Sequence, residues 1–298
     1  MLQNLSSLID LAKSKSTRRL AVAAAADKHV LEAVRDAQKE GIIIPILVGE
    51  KIAIEKIAAE INFNIAGIEI IDIANPVQAS IKAVSLIREG VADILMKGNV
   101  ATGPLLKAVL DKETGLRKGA TLSHVALYET KFYHKLIGVT DAAMNVAPDF
   151  DQKVDIVNNA VEAFVKLGVK NPKVAIIAAV EVVNPKMEAT VHAAMLTQMN
   201  RRGQIKNCLV DGPLAIDNAV NKEAADHKGI VSEVAGDADI LVTPDINAGN
   251  VLYKSLGFLS DGLAAAVIMG AKVPIVLTSR SDSERGKMLS IALAAAME

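Results

Sequence analysis

The chain has 298 residues, 51% of them hydrophobic but only 3% aromatic, and 33 Lys+Arg against 34 Asp+Glu leave it at −1. At about 150 residues per domain the length predicts two domains, with a core large enough to need no disulfide. The balanced charge speaks against a broad nucleic-acid-binding face, the shortage of rings against base-stacking platforms and cation cages, and the single cysteine, Cys208, against a disulfide framework or a cysteine-built zinc site.

Residues 1–19 mix charges with short apolar pieces and show no signal-peptide core, and no apolar run reaches membrane-spanning length. The expectation is a cytoplasmic protein with no membrane partner, and a mean hydropathy of +0.31 points to a homo-oligomer, a dimer or higher. Strands are predicted over 19–25, 43–48, 68–72, 92–96, 125–128, 136–139, 173–179, 208–210, 240–243 and 274–277. Helices are predicted over 27–38, 51–60, 75–89, 102–110, 151–167 and 283–297, with more helical sequence between the later strands. Pro76 suits the first turn of its helix, where its missing N–H costs nothing. Most strands are continuous apolar runs, which implies burial on both faces and hence parallel strands covered by helices. Cys208 falls in a short buried strand and reads as a small hydrophobe. The five His are scattered without a pair at ligand spacing, so no metal site is expected. No Gly/Ser-rich or Pro-rich linker separates the domains, which must pack closely or interleave. The run Ala92-Asp93-Ile94-Leu95 is echoed by Ala238-Asp239-Ile240-Leu241, each a strand leading to a Gly/Asn loop and a helix start. The echo reads either as chance similarity between βα units or as two related α/β halves.

In open α/β sheets ligands bind beyond the carboxyl ends of the strands. Three such ends are rich in small and polar residues. Lys97, Gly98, Asn99 and Thr102 form a loop that would bring backbone and a helix N-terminus to an anion, or else an ordinary turn with Thr102 as N-cap. Asp245, Asn247, Ala248, Gly249 and Asn250 crowd another helix start, where Asn247 or Asn250 would serve as cap. In the third, Ser279, Arg280, Ser281, Asp282 and Glu284 follow a strand, and Ser281 to Glu284 has capping-box spacing. A cap does not need Arg280, whose planar fork matches phosphate oxygens. Arg117, with Lys118, reads as a solvated loop or a contact for a phosphate-bearing substrate. It leads to Ser123 and His124, the latter more often structural at a strand start.

Ser279-Arg280 after a Pro-Ile-Val-Leu strand, the 244–250 run Pro-Asp-Ile-Asn-Ala-Gly-Asn, and Asp211-Gly212-Pro213-Leu214 together resemble the phosphate acetyl/butyryltransferase family, from about residue 92 to the C-terminus. Residues 114–117 and 122–129 resemble its butyryl branch more than its acetyl branch. The resemblance implies an α/β fold of two α/β/α domains with mainly parallel sheets and an interdomain cleft, like isocitrate and isopropylmalate dehydrogenases. It implies a first domain of 1–136 plus 268–298 and a second of 137–267. It further implies reversible acyl transfer from acyl-CoA to inorganic phosphate within a ternary complex, with CoA as a substrate and no permanently bound cofactor. Ser279 and Arg280 would contact the phosphate and the tetrahedral species. Lys97, Gly98, Asn99, Thr102, Arg117, Ser123, His124, Asp245, Asn247, Ala248, Gly249 and Asn250 would bind phosphate and CoA. Where the acetyl branch carries an Asp as base, this chain has Arg285-Gly286. Asp282 and Glu284 are the alternatives, with Asp282 preferred because Glu284 is expected to cap. Competing readings are an acetyl-preferring enzyme, a metal- and NAD-dependent decarboxylating dehydrogenase of the same broad fold, which would need an aspartate cluster, and a non-catalytic CoA or phosphate sensor.

Overall fold

The computed structural model describes residues 4–119, 121–278 and 283–298. In chain order it begins with α1 (Ser7–Lys13), β1 (Arg18–Ala23), α2 (Lys28–Lys39), β2 (Ile43–Gly49), α3 (Lys51–Glu60), β3 (Glu69–Asp72), α4 (Pro76–Arg88), β4 (Ile94–Lys97) and α5 (Thr102–Val109). There follow β5 (Ser123–Glu129), β6 (Ile137–Thr140), α6 (Phe150–Lys166), β7 (Lys173–Ile177), α7 (Glu188–Arg201), β8 (Leu209–Leu214), α8 (Ile216–Val220), α9 (Lys222–His227), β9 (Ile240–Val242) and α10 (Ile246–Phe258). The chain closes with β10 (Leu263–Met269), β11 (Ile275–Val276) and α11 (Glu284–Met297).

Two compact units result. A split unit takes the described residues of Ser6–Ala120 and Ala265–Glu298, and an inserted unit those of Met1–Leu5 and Thr121–Ala264. In the split unit the strands run β3-β2-β1-β4-β11-β10, all parallel except the last pair. In the inserted unit they run β5-β6-β9-β7-β8, and only β5 and β6 are antiparallel. The mixed, mainly parallel α/β class is that expected from continuous apolar strands. The expected domain cut at 136/137 would fall between the paired β5 and β6, whereas the division by contacts lies at 120/121 and keeps them together.

Helix starts follow local capping chemistry. Asp27 caps α2, Asn75 caps α4 ahead of Pro76, and Asp149 forms a reciprocal capping box with Gln152 on α6. The core of the split unit runs along β1, where Leu20 to Ala23 are wholly buried, and around α11, buried on nearly every face from Gly286 to Met297. Three elements depart from the sequence reading. α1 forms in the N-terminal stretch, where the pattern predicts no element. β10, rich in alanine, reads as helix by propensity but is a strand with Ala265 to Met269 buried. β8 runs on through Gly212-Pro213 to Leu214, because an edge strand tolerates proline. None of the described helices is long and apolar enough to cross a membrane.

Candidate active site

In the split unit, β4 delivers Lys97, Gly98, Asn99 and Thr102 to the carboxyl edge. Gly98 N–H donates to the Ala23 carbonyl at 2.8 Å and Asn99 N–H to that of Ala24 at 2.7 Å. A Cβ on Gly98 would stand 2.3 Å from the Ala24 carbonyl oxygen, so glycine is required for the loop to lie against the end of β1. Lys97 Nζ donates to the carbonyls of Gly98 and Val100 at 3.2 and 3.1 Å. The Asn99 amide donates to Ala26 at 3.4 Å. Thr102 is the first helical residue of α5, not its cap: Ala101 holds that position and no side chain caps the helix. β11 lies parallel to β4 with Val276 opposite Met96, so Leu277-Thr278 and Lys97-Gly98 leave the sheet side by side.

Ser279, Arg280 and Asp282 lie outside the described residues. Glu284 opens α11, and the cap is Ser283, whose Oγ accepts from Gly286 N–H at 3.0 Å. The expected capping box from Ser281 to Glu284 is therefore corrected: Glu284 stands at the first helical position, too early to reach back to a cap. Its carboxylate lies 3.8 Å from His29 Nδ1, which also meets Glu32 at 3.2 Å. These three are the one group of metal-capable donors among the described residues, all within 4.8 Å of one another. Arg117 is exposed, and its backbone pairs with Ala271 in the turn entering β11, at the end of that strand opposite Leu277-Thr278.

In the inserted unit the structure draws the remaining predicted residues around one that sequence reasoning missed. Asp141, just after β6, is buried. Its Oδ1 accepts from the backbone N–H of His124, Ala143 and Met144 at 3.2, 2.9 and 3.0 Å. Its Oδ2 accepts from Asn145 N–H at 3.0 Å and from the Asn145 amide at 2.5 Å. The same amide reaches the Leu122 carbonyl at 2.8 Å. Because β5 and β6 are antiparallel, the start of β5 meets the end of β6 here. Ser123 is wholly buried and its Oγ accepts from Asn159 at 2.9 Å, while the buried His124 ring stands edge-on to Tyr253 of α10 at 5.3 Å. These are packed roles.

The 245–250 run begins α10. Asp245 is its cap, accepting from Asn247 and Ala248 N–H at 2.8 and 3.0 Å, which corrects the expectation that Asn247 or Asn250 caps. Asn247 and Ala248 are exposed. Gly249 is buried within the helix, and a Cβ there would stand 2.2 Å from the Asp141 carbonyl oxygen. Asn250 donates to the Ala142 carbonyl at 3.1 Å. Nearby, Lys153 of α6 is 5% exposed and its Nζ lies 3.0 Å from His192 Nδ1 on α7. Burial pushes both groups down, Lys153 against the pull of Glu188 and Asp245, and His192 further through the Lys153 charge. The signal that could have found this hub was Asp-x-x-x-Asn directly after an apolar strand. Cys208 is buried and its thiol is pushed up to about 11 by burial, the state of an inert core residue.

The profile of the Phosphate acetyl/butaryl transferase family matches residues 4–79 and 74–295. The chain is 50% identical to the Phosphate butyryltransferase of Clostridium acetobutylicum over 99% of this chain and 98% of that protein. It is 47% identical to the Phosphate acetyltransferase of Thermotoga maritima over 98% of each. Among solved structures, a branched-chain phosphotransacylase from Enterococcus faecalis matches with a TM-score of 0.83 at 36% identity, over 94% of this chain and 99% of that one. A 4-hydroxythreonine-4-phosphate dehydrogenase from Klebsiella pneumoniae, with a TM-score of 0.56 at 14% identity over 94% and 99% of the two chains, shares the fold alone.

Proposed function

The chain belongs to the phosphate acetyl/butaryl transferase family, and on that premise we propose that it is a cytoplasmic, homo-oligomeric phosphate butyryltransferase, interconverting butanoyl-CoA plus phosphate with butanoyl phosphate plus CoA. The observation that carries the acyl preference is the 50% identity to the Clostridium acetobutylicum Phosphate butyryltransferase across almost the whole of both chains. CoA enters as a substrate, and no permanently bound cofactor is invoked.

In the forward direction a phosphate oxygen attacks the thioester carbonyl carbon, the C–S bond breaks, and CoA leaves with a proton. Ser279 and the Arg280 guanidinium hold the phosphate and the oxyanion of the tetrahedral species, where one donor is worth about 3 kcal/mol. In reverse the CoA thiol, with an ordinary pKa of ~8.5, must lose its proton to attack the acyl phosphate, so a base is needed. Asp282 is assigned that task, because the Glu284 carboxylate faces His29 instead. Direct transfer is supported by the state of the single cysteine, too buried and too weakly acidic to form an acyl-enzyme.

The second reading, a phosphate acetyltransferase, is favoured by the 47% identity to the Thermotoga maritima enzyme. A methylene is worth only about 1–3 kcal/mol of discrimination, so both chain lengths should react, butyryl faster. The test follows CoA release from butyryl-CoA and acetyl-CoA with and without phosphate. Absence of phosphate-dependent release from any short acyl-CoA overturns the proposal, and a higher kcat/KM for acetyl-CoA selects the second reading. Arg280→Ala should lose at least about a hundredfold in kcat/KM with the fold intact. Wild-type rates would misplace the phosphate site.

A further inference from the structure

One cluster of side chains in the split unit takes no part in the chemistry assigned so far. His29 and Glu32 stand three residues apart near the start of α2 and so share a face of it. Asp27 caps that helix, accepting from Val30 N–H at 3.0 Å, so both sit on a formed turn. α11 packs against α2 and brings its first residue, Glu284, to the same place. The His29 Nδ1 lies 3.2 Å from a Glu32 oxygen and 3.8 Å from a Glu284 oxygen. The donor atoms of all three fall within 4.8 Å of one another. A search of the sequence for paired histidines passes over such a trio, because it contains only one and its third member is far along the chain.

A histidine between two glutamates is ordinarily an ion pair, but here an ion pair leaves too much unsatisfied. Glu32 is only 8% exposed, yet among the described residues no hydrogen-bond donor outside the trio reaches its carboxylate, whereas the buried Asp141 accepts five such bonds. Lys28 Nζ stops at 4.0 Å from it. Arg35 is near enough to feel both carboxylates, but its donors go to Asp36 and the Ile61 carbonyl, each at 2.9 Å. The His29 Nδ1 carries at most one proton, which can point at one carboxylate and not at both. A cation seated between the three donors satisfies them together, and the two carboxylates balance a charge of +2. Zn²⁺ at ~2.0–2.2 Å from each donor of a tetrahedron needs donors about 3.3 Å apart. His29 and Glu32 already stand at that spacing, and the Glu284 side chain, more than half exposed, can turn in to complete it. We infer that His29, Glu32 and Glu284 form a binding site for a divalent transition-metal ion, Zn²⁺ above all, with water in the fourth position. The imidazole selects such an ion over Mg²⁺, which prefers oxygen ligands. Bound there, the ion ties α2 to the start of α11 within one unit, a structural clasp independent of the acyl-transfer reading.

The experiment titrates Zn²⁺ into the untagged, chelator-treated full-length chain by calorimetry, and follows thermal melts with and without the metal. The wild type should take up one equivalent at this site and melt at a higher temperature with Zn²⁺, while Mg²⁺ at the same concentration should leave the melt unchanged. His29→Ala and Glu32→Gln should each weaken Zn²⁺ binding at least about tenfold and remove the metal-dependent rise in melting temperature. Co²⁺, used as a spectroscopic stand-in, should show the visible bands of a four-coordinate ion in the wild type and lose them in His29→Ala. His134→Ala, which removes an exposed histidine paired with Asp237, is the control and should bind as the wild type does. His29 is exposed, so its variant keeps the fold and decides the matter even where Glu32→Gln unfolds the chain. A wild type that takes up no stoichiometric Zn²⁺ overturns the inference. Binding to His29→Ala with wild-type affinity, or displacement of Zn²⁺ by equimolar Mg²⁺, overturns it as well.

Discussion

The two units solve the same problem identically at one edge and differently at the other. Before β4, Asp93 accepts from the Arg19 N–H at 2.8 Å and donates its own N–H to the Arg19 carbonyl at 2.8 Å. Before β9, Asp239 does the same to Lys173, at 2.7 and 2.8 Å. Each aspartate locks the start of its strand to the start of the parallel neighbour, which fixes register where a one-residue slip would expose the core face. The echo between 92–95 and 238–241 thus marks one device used twice. The carboxyl edges diverge. In the split unit the loop after β4 is held through a glycine pressed on the end of β1. In the inserted unit the loop after β6 is organised by a buried carboxylate with five donors. One edge is therefore framed by a buried carboxylate, and the other by backbone lying directly against backbone.

The largest effect that would sharpen this contrast is Asp141→Ala. It leaves several partly buried N–H groups without an acceptor, each worth about 1–3 kcal/mol, so urea unfolding should show a loss of more than about 3 kcal/mol. Lys97→Met, at the carboxyl end of β4 in the split unit, should cost less than about 1 kcal/mol, since its bonds are to carbonyls at a half-exposed loop. Equal losses would erase the contrast.

Next come the glycines. Gly98→Ala and Gly249→Ala each drive a methyl into a backbone carbonyl, at 2.3 Å and 2.2 Å, and neither carbonyl can swing aside. Each should cost about 1–3 kcal/mol. Gly103→Ala meets nothing within 4 Å beyond its chain neighbours, but Pro104 disfavours a helical residue with a Cβ before it, so the change should stay within about 1 kcal/mol of wild type. Thermal melts of the three variants check the order, and a stable Gly98→Ala would mean that this glycine serves a ligand and not the packing of the loop.

A smaller effect separates the amino edges. Asp237 is partly buried, which raises its pKa, but bonds from Lys173, Lys135 and His134 hold it well below the usual carboxylate range. Asp93 is lowered too, with desolvation again opposing and Arg19 as its side-chain partner. A carboxylate depressed in the folded state stabilises above its unfolded pKa and loses that contribution as pH falls through the folded one. Asp237→Asn should therefore cost about 1 kcal/mol at neutral pH after solvent screening, with the difference from wild type closing below about pH 4. Asp93→Asn should follow the same course with the smaller loss. Chemical denaturation from pH 7 to pH 2 reads both.

These contrasts also show what a one-dimensional reading reaches. The parallel strands were legible because burial on two faces leaves an unbroken apolar run, and so was the echo of the two aspartates. β10 was not, because Leu-Ala-Ala-Ala-Val-Ile-Met becomes a strand only through its neighbours in the sheet. The 245–250 run was legible as a helix start, but its division of labour was not: capping by Asp245 and close packing by Gly249 depend on where α10 meets Asp141. Asp141 is hard to read from sequence because its partners are mostly backbone N–H groups, which carry no side-chain signature.

The least effect concerns the buried pair behind α10, a cation that the inserted unit keeps close to its carboxyl edge. Lys153 is buried beside His192, and its proton is held less tightly in the folded chain than in the unfolded one, with Glu188 and Asp245 opposing the shift. Such a lysine lowers stability while it must stay charged. As pH rises from neutral through its lowered folded pKa toward the ordinary 10.5, that penalty is relieved and the folded state gains on the unfolded. Lys153→Met removes the gain. Wild-type and variant melting temperatures compared from pH 7 to pH 10.5 should converge or cross as the wild type recovers. Cys208, whose thiol is held up to about 11, titrates in both proteins and cancels in the difference. Parallel curves would mean that Lys153 keeps its ordinary proton affinity in the fold, and that the Asp245 and Glu188 carboxylates offset its burial in full.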